Sequence, residues 1–269
     1  MQTIFITGSS SGLGKAAAQL FAVKGWRVIA TMRNPEKETE LNGLPNLTLL
    51  PLDITDPEQI KNTVGRVTAM GDIDVVFNNA GYGLVGPLEG TTDAQIMRQI
   101  NTNLLGVIRT TQAFIPHFRT KKSGLFITTT SIGGLAAFPF NSIYHATKWA
   151  LEGWSESLAF ELNKFGIGIK TVSPGGIKTD FVGRSLDMSR HEAYDQWVGM
   201  AMNVFSDPGK ALAYSDPKQI AAVVYEAATD GKDQLRYQAG EDAKEMYARR
   251  LQMGAETSRK EVDQLFFGK

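Results

Sequence analysis

At 269 residues, with 42% hydrophobic and 21% charged side chains, the chain has the make-up of a soluble globular protein, which points to neither a fibre nor a disordered chain. Its 28 lysines and arginines balance 28 aspartates and glutamates, so no global field draws it to nucleic acid or to an anionic membrane. The absence of cysteine excludes disulfides, thiolate nucleophiles and cysteine-bearing zinc sites.

The opening MQTIFITGSS lacks the basic and apolar regions of a secretory signal, and no run reaches the ~18 apolar residues of a membrane span. A single domain over 1–269 in the cytoplasm is the expectation. Short β-branched runs then alternate with helix-length amphipathic segments, the pattern of βαβ units on a parallel sheet. The first strand is TIFIT at 3–7, and the helix GLGKAAAQLFAVKG follows it.

The turn between them, TGSSSGLG at 7–14, sits where backbone N–H groups and a helix dipole receive a pyrophosphate. Gly8, Gly12 and Gly14 let the backbone turn tightly and approach the ligand. Ser10, Ser11 and Leu13 complete the turn, and the serines add hydroxyls for phosphate. A P-loop is the competing reading of Gly14-Lys15, but the positions it requires as glycine and as Ser or Thr hold Ser9 and Ala16. At the end of the second strand, RVIATM at 27–32, a dinucleotide fold places an acid on the adenosine ribose. Here Met32 and Arg33 stand instead, and a guanidinium forks onto a 2′-phosphate, so NADP(H) is favoured over NAD(H).

LTLLPL at 47–52 and IDVVFN at 73–78 read as the third and fourth strands, with the helix PEQIKNTVGRVTAM between them. One long helix is expected over DAQIMRQINTNLLGVIRTTQAFIPHF, then the strand LFITTT at 125–130 and the helix SIYHATKWALEGWSESLAFELNKF. IGIKTV at 167–172 is the sixth strand. Past Pro174 the periodicity fails, and 175–215 reads as an active-site lid or as a satellite core of small helices. A helix around AAVVYEAA, a seventh strand at 234–239 and a charged helical C-terminal segment end the chain. His117, His145 and His191 share no ligand spacing, so no metal site is expected.

TGSSSGLG, NNAG at 78–81, NLLG at 103–106, Ser131, YHATK at 144–148 and PGGIKT at 174–179 occur in that order. Together they resemble the short-chain dehydrogenase/reductase family, and NNAGYGLVGPLE is similar to its 17β-hydroxysteroid and retinol dehydrogenase branch. The resemblance implies a doubly wound α/β Rossmann fold with a seven-stranded parallel sheet and helices on both faces. It also implies a catalytic tetrad of Asn103, Ser131, Tyr144 and Lys148. In that scheme Tyr144 moves the proton, Lys148 tunes it and binds the nicotinamide ribose, Ser131 holds the substrate oxygen, and Asn103 holds a water of the proton path.

Helix geometry agrees with the pairing, since residues four apart rise ~6 Å and return to the same face. The resemblance further implies cofactor contacts at Asn79, Ala80 and Gly81, at Asp53 with Ile54, and at Pro174, Gly175, Ile177 and Thr179. Asp53 has a second reading as an N-cap of the following helix. Tyr82, Leu135, Phe138, Phe140, Phe181, Leu186 and Met188 are expected to line a pocket for a hydrophobic ketone, aldehyde or alcohol, under a lid at about 180–215 that includes Trp197. Family analogy implies a homodimer or homotetramer. The rival function is an NADP(H)-sensing binding protein with little turnover.

Overall fold

The computed structural model describes residues 1–178, 186–207 and 214–268. Its main sheet uses strands β1 (Thr3–Thr7), β2 (Arg27–Met32), β3 (Leu47–Pro51), β4 (Val75–Asn78), β6 (Gly124–Thr129), β7 (Ile167–Pro174) and β9 (Arg236–Ala239). All seven run parallel in the order β3-β2-β1-β4-β6-β7-β9, with the reversal of winding at β1 and β4. The helices are α1 (Gly12–Val23), α2 (Pro57–Ala69), α3 (Asp93–Ile100), α4 (Gly106–Lys121), α5 (Ser142–Leu162), α6 (Asp195–Ser206), α7 (Pro217–Thr229), α8 (Glu241–Met253) and α9 (Ala255–Phe267).

Strand alternation explains the layers, because successive side chains leave opposite faces of a sheet. In β1, Ile4 and Ile6 join Val28, Ala30 and Phe77 in a core closed by Ala17 and Phe21 of α1 and Ile220 and Val224 of α7. Phe5 points the other way, into a second core with Ile29, Val76 and Phe126 that α2, α4 and α5 close through Ile60, Phe114 and Leu158. Each such side chain contributes roughly 1.5–3 kcal/mol when fully buried. Asp56 caps α2 by accepting from the N–H groups of Glu58 and Gln59 at 2.9 and 3.1 Å, ahead of Pro57 at the first helical position.

The strands expected from the sequence are present with their ends moved by a residue or two. Four elements differ from expectation. The long helix is broken by a π turn at Asn101–Leu105, where the Gly106 N–H reaches back to the Asn101 carbonyl. A separate parallel pair joins β5 (Gly83–Val85) to β8 (Leu186–Met188). The C-terminal segment is two helices, parted at Gly254 with φ 81°. Within the expected lid, α6 packs Ala201 and Val204 against Phe266, together with Phe138, Phe140, Phe205 and Phe267.

That last cluster separates several residues of the expected substrate pocket from the lining of the main cleft. Phe138 and Phe140, both partly buried, pack against the aromatic rings of α6 and α9, with Phe205 and Phe266 only 5.0 Å apart between ring centres. Leu135 belongs to a small core with Ile132, Ala136 and Ala243, and Met188 is 52% exposed on β8. Trp197 stands against Phe267 at 5.8 Å. In the described part of 175–215, these rings cover an apolar surface supplied by α9, while Leu186 and Asp187 face the main cleft.

Candidate active site

The strand ends on either side of the winding reversal open into a cleft of about 950 Å3. At one end Gly8, Ser10, Ser11, Gly12 and Leu13 line it, and Gly8 and Gly12 take φ of 71° and 54°. Ser9 is buried and hangs the turn from the sheet, its N–H donating to the Thr31 carbonyl at 2.9 Å. A Cβ on Gly8 would come within 2.7 Å of the Ala80 α-carbon, and one on Gly14 would strike the Gly8 carbonyl and the Asn79 amide. The Ser11 side chain makes no cap hydrogen bond to α1, whose first turn carries no acid, so its end donors suit an anion.

Thr7 ties this turn to β4. Its hydroxyl accepts from the N–H groups of Asn79 and Ala80 at 3.0 and 3.1 Å, while the Asn79 amide donates to the carbonyls of Thr7 and Gly8, both at 3.1 Å. Asn79, Ala80, Gly81 and Tyr82 consequently border the cleft.

Met32, Arg33, Asp53, Ile54 and Thr55 line its far end. Arg33 is exposed and makes no hydrogen bond or ion pair among the described residues. Glu38, a buried acid on the following turn, is committed elsewhere: it accepts from the N–H groups of Glu40 and Leu41 at 2.8 and 3.0 Å and pairs with Lys15 at 3.1 Å. The Asp53 carboxylate accepts from the N–H and hydroxyl of Thr55 at 2.9 and 2.7 Å, so its N-cap reading is corrected; Asp56 caps that helix.

At the other end stand Ser131, Tyr144 and Lys148. Ser131 follows β6 in extended backbone, and its hydroxyl accepts from the Gly133 N–H at 3.0 Å. Tyr144 and Lys148 share a face of α5. Burial raises the pKa of the Tyr144 phenol, and a hydrogen bond with Ser131 opposes that rise. The Lys148 ammonium donates to the Thr129 carbonyl at 2.8 Å and lies 5.8 Å from the Tyr144 ring centre. Burial pushes Lys148 down to about 8, against the field of Glu152. Glu152 is buried in turn, accepting from Ser173 at 3.0 Å and Arg236 at 2.9 Å.

Asn103 lies in the π turn with one bond on each atom of its amide: Oδ1 accepts from the Tyr82 N–H at 3.0 Å, and Nδ2 donates to the Tyr82 carbonyl at 2.8 Å. The amide thus shapes the wall that Tyr82 forms, and a water held by this side chain has to share those atoms. Pro174, Gly175, Gly176, Ile177 and Lys178 complete the floor. Thr179 and Phe181 fall outside the described residues.

Of the expected pocket, Tyr82 and Leu186 line the cleft, where they meet Arg98, Thr102, Asp187 and Tyr214. The sequence reading missed those four, as it missed Thr7 and Thr129. Thr7 had a local signal, a threonine directly before the glycine turn, whereas the others depend on distant segments meeting. Among the described residues no helix is long and apolar enough to cross a membrane, and no group of three metal-ligating side chains converges.

The residues fit a dinucleotide: glycines at 8 and 14 let the turn close against Ala80 and Asn79, and one cleft joins the anion-binding turn to the Ser–Tyr–Lys group. Comparison with known proteins agrees. A family model described as short chain dehydrogenase matches residues 2–190. Human retinol dehydrogenase 8 is 37% identical over 194 residues, covering 69% of this chain and 62% of its own. A short-chain dehydrogenase from Streptomyces avermitilis superposes with a TM-score of 0.84 at 32% identity, over 98% of this chain and 95% of that one. The structure of ElxO with NADP bound superposes at 0.76 with 26% identity, over 91% and 99%.

Proposed function

The chain belongs to the short-chain dehydrogenase family, and from that premise we propose that it is an NADP(H)-dependent oxidoreductase interconverting a ketone or aldehyde and its alcohol, with Tyr144 as acid and base. The observation that carries the reading is the joining, in one cleft, of a glycine turn built for pyrophosphate to a buried tyrosine with a serine and a lysine beside it. A bound nicotinamide supplies or takes the hydride, which leaves the protein to handle the proton.

Each residue then has a task that its surroundings suit. Ser131 stands beside the phenol, where it opposes the effect of burial, and offers its hydroxyl to the substrate oxygen. Tyr144 gives that oxygen a proton in reduction and removes one in oxidation. Lys148, held by the Thr129 carbonyl, keeps a positive charge near the ring and offsets part of the burial that disfavours phenolate. Arg33 is the side chain offered for a 2′-phosphate, which supports NADP(H) over NAD(H). The proposed substrate is a hydrophobic carbonyl compound that passes Tyr82 and Leu186, with Arg98, Thr102 and Asp187 at its polar margin. Assembly through α4 and α5 is proposed for the oligomer, in keeping with a Phe160 side chain left 70% exposed on α5.

Aromatic ketones, steroids, retinal and short β-keto esters assayed with NADPH and with NADH test the proposal. Turnover of at least one apolar carbonyl with preference for NADPH is expected. Cofactor binding without turnover across the panel would support the sensing protein instead.

A further inference from the structure

The family model ends at residue 190, yet a later helix reaches the cleft floor. Asp242, in the first turn of α8, is buried, and its Oδ2 accepts from the Gly176 N–H at 2.8 Å. The same carboxylate rests on the Gly175 α-carbon so closely that a Cβ there would collide with Cγ and both oxygens. On the opposite flank, the Ser215 N–H donates to the Gly176 carbonyl at 2.8 Å and the Lys178 N–H to the Ser215 carbonyl at 2.9 Å. Gly175 N–H meets the Ala239 carbonyl at 3.1 Å. The stretch from Gly175 to Lys178 is thereby fastened by residues of the last quarter of the chain, with Asp242 as the side chain that reaches it.

We propose that Asp242 is a positioning residue, whose carboxylate holds the loop after β7 in the shape that receives the nicotinamide end of the cofactor. The assignment rests on the nicotinamide reading above. Two adjacent glycines leave the loop many conformations, and binding to a loose loop is weakened by the cost of ordering it. A carboxylate hydrogen bond to Gly176, made before the cofactor arrives, removes part of that cost. Glycine at 175 is required because the carboxylate occupies the place of its side chain. Burial pushes the Asp242 pKa up and the Gly176 N–H opposes it, but Oδ2 accepts in either protonation state.

The test uses the full chain as wild type, Asp242→Ala, Asp242→Asn and Gly175→Ala, with amide hydrogen exchange at Gly176 and equilibrium titration with NADPH. Asp242→Ala and Gly175→Ala are expected to speed Gly176 exchange at least tenfold without cofactor and to weaken NADPH binding about tenfold, about 1.4 kcal/mol. Asparagine keeps an acceptor for Gly176, so Asp242→Asn should stay within about threefold of wild type in both readouts. Unchanged Gly176 exchange in Asp242→Ala overturns the clamp. Equal losses in the alanine and asparagine variants, tracking a lowered melting temperature, overturn it too and leave Asp242 as helix packing. A wild-type chain that binds neither NADPH nor NADH overturns the nicotinamide reading and this role with it; exchange at Gly176, which needs no cofactor, distinguishes that failure from loss of the clamp.

Discussion

Lys148→Met removes a charge and keeps most of the side-chain volume, so it isolates what the ammonium does for Tyr144. The ammonium stands 5.8 Å from the ring centre, where two unit charges at an effective dielectric near 20 interact by about 3 kcal/mol. The phenol is already held in its protonated form by burial, and losing the lysine deepens that preference. In alcohol oxidation, where phenolate is the base, kcat at saturating cofactor and pH 7 should fall about 10²-fold. Saturation keeps weakened ribose binding out of the comparison.

The pH profile adds a sign. Lys148 is pushed down to about 8 by burial, so wild type carries the full charge below that pH and loses it above. The rate advantage of wild type should narrow as pH rises past 8. A variant within threefold of wild type at pH 7, or a ratio independent of pH, would refute electrostatic tuning by Lys148.

Arg33→Ala should raise the KM for NADPH by about 10- to 100-fold, the worth of a charge-assisted hydrogen bond, while NADH changes little; equal effects on both would remove the argument for the 2′-phosphate. His145 is pushed down to about 4 by burial from a usual 6.5. The unfolded chain therefore binds the extra proton first, and stability present above pH 6.5 is lost toward pH 4, by roughly 3 kcal/mol. Urea midpoints across that window should show the slope in wild type and not in His145→Gln; an unchanged slope would assign it to other groups. Gly14→Ala drives a methyl into the Gly8 carbonyl and should weaken NADPH binding at least tenfold, whereas Gly153→Ala meets nothing within 4 Å and should stabilise α5 by about 0.5–1 kcal/mol in thermal melts.

The parallel core was readable because each strand carries its own signal. Runs such as TIFIT and RVIATM are rich in β-branched and apolar residues without alternation, as suits strands buried on both faces, and glycine at 8, 12 and 14 punctuates the first crossover. Ser131, Tyr144 and Lys148 were readable through the ordered motifs that resemble the family, with Tyr144 and Lys148 on one helix face and Ser131 just past β6. The π turn was not, since Asn101–Leu105 continues the helical pattern and departs from it only where Asn103 bonds the Tyr82 backbone. The packing of Phe138 and Phe140 was hidden for a related reason. Their apolar character was plain, but the surface they cover is supplied by Phe266 and Phe267 at the far end of the chain. Asp242 gave no local sign either, since an acid in a first helical turn is common and its contact with Gly176 depends on how α8 docks.

The most direct measurement on the central claim is Tyr144→Phe, followed by NADPH titration and by single-turnover reduction of the best ketone from the panel. The account predicts NADPH affinity within about threefold of wild type and reduction slowed by at least 10², the lower part of the range for losing a positioned acid. Reduction at the wild-type rate with NADPH bound normally would contradict it, and would mean that the proton reaches the substrate from another group.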